Sequence, residues 1–197
     1  MQPCRLDKYF NKLKRGERVM NKKSFPLSKV YQLLEPGPVV MVSTFYKGKA
    51  NVMTMSWHMM IDFQPPLVAI VVGDQSYSFN ALKETKECVI NIPTVKLISK
   101  VISVGNTSGS KIDKFKKFNL SQENALHVKA PIISECYANL ECKVIDAKMS
   151  SKYNIFILEV LKAWVTPLKK RALTIHHCGN GTFVVDRKVI KIPSNKK

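Results

Sequence analysis

The stretch VVMVSTFYKGKANVMTMSW, residues 39–57, decides the fold. Residues 39–45 are rich in Val, Thr and Phe, which favour strands, and residues 50–57 continue as a second strand-like run. The Lys47-Gly48-Lys49 segment between them is typical of a turn, so the stretch predicts a β-hairpin. Alternation along the second strand then gives each of its faces one set of side chains: Asn51, Met53, Met55 and Trp57 on one, Val52, Thr54, Ser56 and His58 on the other.

The rest of the chain continues as short strands that turns separate. Helices are predicted from the Ser76 N-cap through Lys83, at residues 95–104 and at residues 111–117. Strands are predicted at residues 67–72, 88–92, 138–147 and 153–165, and around Val184 and Val189 after the Gly179-Asn180-Gly181 turn. Because strands do not alternate strictly with helices, a Rossmann-type sheet is disfavoured. The pattern predicts a mainly β protein, either a barrel or a sandwich, with peripheral helices.

Length and composition are typical of one globular domain: 197 residues, 45% hydrophobic and 23% charged. No apolar run reaches the roughly 18 to 20 residues that span a bilayer, and the basic N-terminus does not resemble a secretory signal. The five cysteines are an odd number without CxxC spacing, which fits reduced thiols. We therefore expect a cytoplasmic protein that does not engage a membrane.

Residues 1–24 differ from the remainder because they carry eight Lys or Arg residues, two acidic ones and little apolar surface. We expect a basic N-terminal extension, disordered or lying on the outside, followed by one domain at residues 25–197. Met20 is an alternative start that would remove most of the extension. The formal net charge of +18 favours anionic partners, although a lysine-rich surface that keeps the protein soluble explains it equally well.

The segment GDQSYSFN, residues 73–80, follows a predicted buried strand and opens a helix. The first N–H groups of a helix are unpaired and its dipole is positive there, so this segment could hold a phosphate. The hydroxyls of Ser76 and Ser78 would add donors. A plain helix cap without a ligand is the alternative.

Two further features are candidates for ligand contacts. Residues 51–57 could present hydrogen bonds to a planar heterocycle with Trp57 beside it, or could form a half-buried strand without a ligand. The lysines at positions 111, 114, 116 and 117 form either a solvated face or, with Lys114 as first choice, the cation for an anionic ligand. His176-His177-Cys178 does not predict a metal site, because neighbouring strand residues point to opposite faces.

In their order and spacing these segments resemble the flavin reductase-like, FMN-binding split-barrel family, and within it the flavoredoxin branch. The likeness covers residues 36–193. It is carried by GPVVMVST at 37–44, NVMTMSW at 51–57, PPLV at 65–68, SYS at 76–78, GSKIDKF at 109–115 and GTFVVD at 181–186.

The resemblance implies a six-stranded Greek-key barrel, usually a homodimer with one FMN per subunit near the interface. It implies that the flavin edge and ribityl chain are contacted by Asn51, Met53, Thr54, Met55 and Ser56. The phosphate would be held by Gln75, Ser76 and Ser78. The ring would be surrounded by Trp57, Lys114, Tyr153 and Phe183. The catalytic roles would fall to Trp57, Lys114 and Tyr153. Relatives often have Lys or Arg in place of Gln75, and can have His in place of Tyr153.

The expected function is that of an FMN-binding redox protein, which passes electrons from NAD(P)H or an acidic ferredoxin-like donor to an acceptor. A flavin-binding protein without turnover is one alternative. A basic nucleic-acid-binding module is another, although the sequence lacks the aromatic and Gly-rich platforms of RNA-binding sheets. The sequence does not distinguish NADH from NADPH, or a resident FMN from an FMN substrate.

Overall fold

The computed structural model describes residues 22–168 and 171–185. The strand predicted around Val189 and residues 1–21 of the predicted extension lie outside these ranges. None of the helices in the described part of the chain is long and apolar enough to cross a membrane.

The elements follow one another with short connections. The strands are β1 (Lys23–Phe25), β2 (Val40–Tyr46), β3 (Lys49–Met55), β4 (His58–Phe63), β5 (Pro66–Val71), β6 (Glu87–Ile92), β7 (Gln122–Glu123), β8 (Ile132–Ile133), β9 (Ala138–Asp146), β10 (Ile155–Val165), β11 (Ile175–His177) and β12 (Phe183–Val185). The α-helices are α1 (Tyr31–Leu34), α2 (Tyr77–Thr85), α3 (Ile98–Gly105), α4 (Lys114–Lys117) and α5 (Ser150–Tyr153), and two 3₁₀ helices span Leu27–Lys29 and Val95–Leu97.

The predicted hairpin is confirmed: β2 and β3 pair antiparallel from Val40 opposite Met55 to Tyr46 opposite Lys49. The turn has two residues instead of three, because Lys49 already belongs to β3. Lys47 has a φ of 50° and Gly48 a φ of 74°. Positive φ at both central residues is the type I′ geometry, whose twist matches that of the paired strands.

The mainly β split-barrel fold class is confirmed, but the sheet holds eight strands instead of the six expected. Its order is β3-β2-β6-β9-β10-β5-β4, with β1 also paired to β10. The additional strand β1 starts at Lys23, so the end of the predicted extension is part of the sheet. Its sequence KSF has little strand character, and it is extended because β10 offers backbone partners.

Two predicted element boundaries were wrong, and several short elements were not predicted. The helix expected at residues 111–117 begins only at Lys114, because the Asp113 side chain caps it by accepting from Lys116 N. Tyr153 ends helix α5 instead of opening a strand, since Asn154 adopts the left-handed conformation (φ 61°) and β10 begins at Ile155. Strand β11 was not predicted, and it forms by pairing with β12.

The hairpin separates two hydrophobic cores. The first contains Val42 of β2 and Ile70 of β5, which three strands separate in the sheet order, so the sheet curls around this core. The second core lies on the opposite face of the hairpin. It packs Met41 and Val52 against α3, α4 and β11. The second core places two helices and the C-terminal hairpin over β3, and this arrangement creates the cleft described next.

Candidate functional site

Two adjoining cavities of about 430 and 410 Å³ lie over β3. Thr54, Gly105 and Asn106 line both, so the cavities form one cleft. The combined size suits a cofactor, because ligand pockets typically measure about 300 to 1,000 Å³. We call the part next to the start of α2 the polar compartment and the part next to β12 the apolar compartment.

The polar compartment is built around the start of helix α2. Ser76 caps this helix, and its Oγ accepts a hydrogen bond from Ser78 N at 3.2 Å. The Ser78 hydroxyl is buried and accepts from Asn51 Nδ2 of β3 at 3.0 Å. The first N–H groups of the helix and its positive dipole end therefore face a compartment rich in hydroxyl and amide groups, a setting that favours an anion.

Lys114 brings a buried positive charge to the same compartment. Its Nζ donates to Val104 O at 2.9 Å, and no carboxylate of the described ranges lies within ion-pair distance. Burial disfavours the charged amine and lowers the pKa of Lys114 to about 8. A buried ammonium without an opposite charge is costly, so an anionic ligand would stabilise it.

Gly109 fixes the loop that closes the polar compartment. A Cβ at this position would lie 2.0 Å from Asn51 Oδ1, so the backbone approaches the Asn51 amide more closely than any other residue type allows. The carbonyl of Gly109 also accepts from Lys49 Nζ at 3.1 Å. The loop is thus tied to β3 at two points beside the Ser76 cap.

The apolar compartment continues along β3 toward its end. Val39, Met55, Val101, Ile102 and Phe183 are the apolar side chains of its lining. The Thr54 hydroxyl donates to Val101 O at 2.7 Å and so fixes α3 against the strand. A flat, weakly polar group fits such a surface, whereas the adjoining polar compartment suits an anion.

Most of the residues predicted for the site meet in this cleft: Asn51, Met53, Thr54, Met55, Ser56, Gln75, Ser76, Ser78, Lys114 and Phe183. Gln75 is exposed at the rim. Trp57 and Tyr153 are not brought together with them, since their side chains are 71% and 54% exposed and line neither compartment. The expected roles of these two residues beside a flavin ring stay predictions.

The sequence interpretation missed part of the cleft lining. Gly105 at the end of α3 lines the cleft, as do Asn106, Thr107 and Ser108 directly after it. A polar, Gly-containing run between two helices could have indicated this loop. His177 lines the apolar compartment, although its sequence context had been considered only for metal binding. Its position depends on β11, which was not predicted.

A family model for the flavin reductase like domain matches residues 33–181. The chain belongs to this family. The fold is similar to that of an FMN-binding domain of a flavin reductase-like enzyme from Shewanella baltica OS155, with a TM-score of 0.84 between the two structures. That structure is 25% identical and covers 90% of this chain and 100% of its own. The flavoredoxin of Desulfovibrio vulgaris (Miyazaki F) shares the fold with a TM-score of 0.73, at 19% identity over 93% and 97% of the two chains.

Relatives in sequence are found in bacteria and archaea. The protein YddH of Escherichia coli (strain K12), itself uncharacterized, is 30% identical over 80% of this chain and 90% of its own length. An uncharacterized protein of Archaeoglobus fulgidus is 36% identical over 57% of this chain, and the match spans 64% of that relative.

Replacing Gly109 with Ala tests the packing of the cleft. The new methyl group collides with the Asn51 amide, so we expect the free energy of unfolding to fall by about 1 to 3 kcal/mol in chemical denaturation. Gly73→Ala is the matched control, because nothing lies within 4 Å of its Cβ. In a protein that already carries Asn51→Ala, the Gly109→Ala change should lower the free energy of unfolding much less. Equal costs in the two backgrounds would contradict the contact.

Proposed function

We propose that the chain is an FMN-dependent redox protein of the flavoredoxin or flavin reductase type. The observation that carries this proposal is the polarity of one continuous cleft. A helix N-terminus and a buried lysine, which has no carboxylate partner among the described residues, lie at one end, and apolar side chains lie at the other. FMN has the matching polarity, with a phosphate at one end and a planar ring at the other. When bound, FMN would supply the hydride and single-electron chemistry that the side chains themselves lack.

The proposed arrangement directs the phosphate to the polar compartment. Ser76, Ser78 and the first N–H groups of α2 would donate hydrogen bonds to it. Gln75 cannot supply the cation that relatives often have at that position. Lys114 lines the same compartment, so we assign it this charge.

The ring would then lie in the apolar compartment. Backbone groups of residues 53–56 would bond its polar edge, and Phe183 would contact one side. The family resemblance implies a position for Lys114 beside the ring instead, and the two positions differ in what loss of the charge does. Loss of a phosphate partner weakens FMN binding but hardly changes riboflavin binding. Loss of a ring partner weakens the binding of both flavins and lowers the redox potential.

We propose that the electron donor is NAD(P)H or an acidic ferredoxin-like protein. We also propose that the protein is located in the cytoplasm. The net charge of +18 would steer an acidic protein partner to this chain and raise its association rate. The four cysteines of the described ranges are all free thiols, in keeping with a reducing compartment.

We further propose a homodimer that forms through β4. Met59, Ile61 and Phe63 of this edge strand and Trp57 directly before it are exposed by 62%, 45%, 51% and 71%, and a bulge between Met60 and Asp62 interrupts the strand's alternation. No Lys or Arg occurs at residues 57–63, in a chain that has 32 of them, so this strand brings no positive charge to repel a second copy. Apolar patches on edge strands commonly mark interfaces.

Replacing Lys114 with Met tests the phosphate assignment. We expect at least a tenfold loss of FMN affinity and little change for riboflavin, measured by fluorescence titration. Because the pKa of Lys114 is lowered to about 8 and an anion would raise it again, FMN affinity of the unmodified chain should fall as the pH rises through 8. Lys114→Met should remove this pH dependence.

The control for this variant is Lys116→Met, an exposed lysine on the same short helix. It should bind both flavins as the unmodified chain does. Equal losses of FMN and riboflavin affinity in Lys114→Met, together with a lower potential, would contradict the phosphate assignment and favour the ring.

The donor is identified by reducing the FMN-loaded protein with NADH, NADPH and reduced ferredoxin in turn, with flavin absorbance as the readout. If ferredoxin is the donor, its rate should fall about tenfold or more between low and high salt, since steering is screened. A salt-independent rate would contradict steering. Failure of every donor would leave a flavin-binding protein without turnover.

The dimer is tested by Met59→Lys in the β4 face. A charge buried at the interface should convert the dimer to a monomer in analytical ultracentrifugation. Leu126→Lys replaces another exposed apolar residue and should leave the dimer intact. A monomeric unmodified chain would refute this part of the proposal.

A further inference from the structure

His177 stands out among the four histidines because its ring has no hydrogen-bond partner in the described chain and faces the cleft. The ring of His58 is bonded to Pro38 O at 2.7 Å, and that of His176 to Gly37 O at 3.1 Å. His127 lies outside the cleft lining. Only His177 therefore combines a free imidazole with a place in the apolar compartment.

The C-terminal hairpin determines where this imidazole points. Ile175 and Val185 pair across the hairpin and pack on the second core. His177 and Phe183 form the next pair on that same face of β11 and β12, because strand side chains alternate. The face that covers the core therefore continues over the cleft, and His176 points the other way to Gly37.

Phe183 holds the His177 ring in position. The two ring centroids are 5.1 Å apart with planes tilted by 46°, and both side chains line the apolar compartment. The imidazole is thus packed against an aromatic ring, is exposed, and has neither ring nitrogen hydrogen-bonded within the described residues. Val39, Met55, Val101 and Ile102 supply further apolar lining to this compartment.

We propose that His177 is a positioning residue for the flavin ring, to whose polar edge its imidazole N–H donates a hydrogen bond. This inference rests on the proposed FMN function and on the ring lying in the apolar compartment. Reduction adds negative charge to the ring's pyrimidine edge, so a donor there binds the reduced ring more tightly than the oxidised one. His177 would therefore raise the potential of the bound flavin.

The test compares three full-length variants loaded with FMN. His177→Phe removes the donor and keeps a ring against Phe183. His177→Gln keeps an N–H donor, and His176→Gln changes the neighbouring imidazole that is tied to Gly37. The readouts are the two-electron potential by dye equilibration, the visible spectrum and the dissociation constant of FMN, with thermal melting to verify the fold.

We expect His177→Phe to weaken the binding of reduced FMN about tenfold more than the binding of oxidised FMN. This difference corresponds to a two-electron potential about 30 mV lower. Its visible spectrum should shift as well. His177→Gln should recover part of the effect, and His176→Gln should match the unmodified chain. A His177→Phe protein that binds FMN with unchanged potential and spectrum would overturn this inference and leave the proposed function standing. An unmodified chain that takes up no FMN would overturn both.

Discussion

Burial of the β2–β3 hairpin on both faces is the constraint on which the rest of the structure depends. Alternate residues of β2 serve different cores, Val42 the barrel interior and Met41 the layer beneath the helices. A one-residue shift in the pairing would exchange the two sets, so register is strongly specified. The type I′ turn at Lys47 and Gly48 sets this register at one end. Everything that faces the cleft from β3, from Asn51 to Met55, is placed by the same register.

The cleft combines close packing with an uncompensated charge. Gly109 against Asn51 holds one loop tightly to the strand, and Thr54 against Val101 holds helix α3 to it. Beside these contacts Lys114 is kept from water, its Nζ donates to the Val104 carbonyl, no carboxylate of the described residues lies within ion-pair distance, and burial lowers its pKa. A buried charge without a partner makes a protein less stable than an apolar side chain at the same position would. Such charges therefore cluster at functional sites, where a ligand can supply the opposite charge. The division of the cleft into a cationic end and an apolar end follows from this placement.

The sequence allowed prediction of those elements whose local signals agree with their packing. The hairpin has strand-forming residues and a glycine turn, and α2 has a serine cap that the structure retains. Strand β1 and strand β11 lack such signals and exist because a partner strand is available. Helix α5 was not predicted, and it ends at Tyr153 where Asn154 adopts the left-handed conformation. For the site, motif order assembled ten of the twelve predicted residues, whereas Trp57 and Tyr153 lie outside the two compartments.

The sequence by itself determined the mainly β fold, the family and the strand and turn that carry most cleft residues, because these follow from local residue preferences and motif order. Only the tertiary structure decided which distant residues meet there. It placed Lys114 beside the Ser76 cap instead of leaving it on a solvated lysine face, and it turned His177 toward the cleft. The physical reason is that a side chain's role depends on which core its element packs against. Helix α4 and the β11–β12 hairpin both pack on the second core, a contact between segments far apart in sequence.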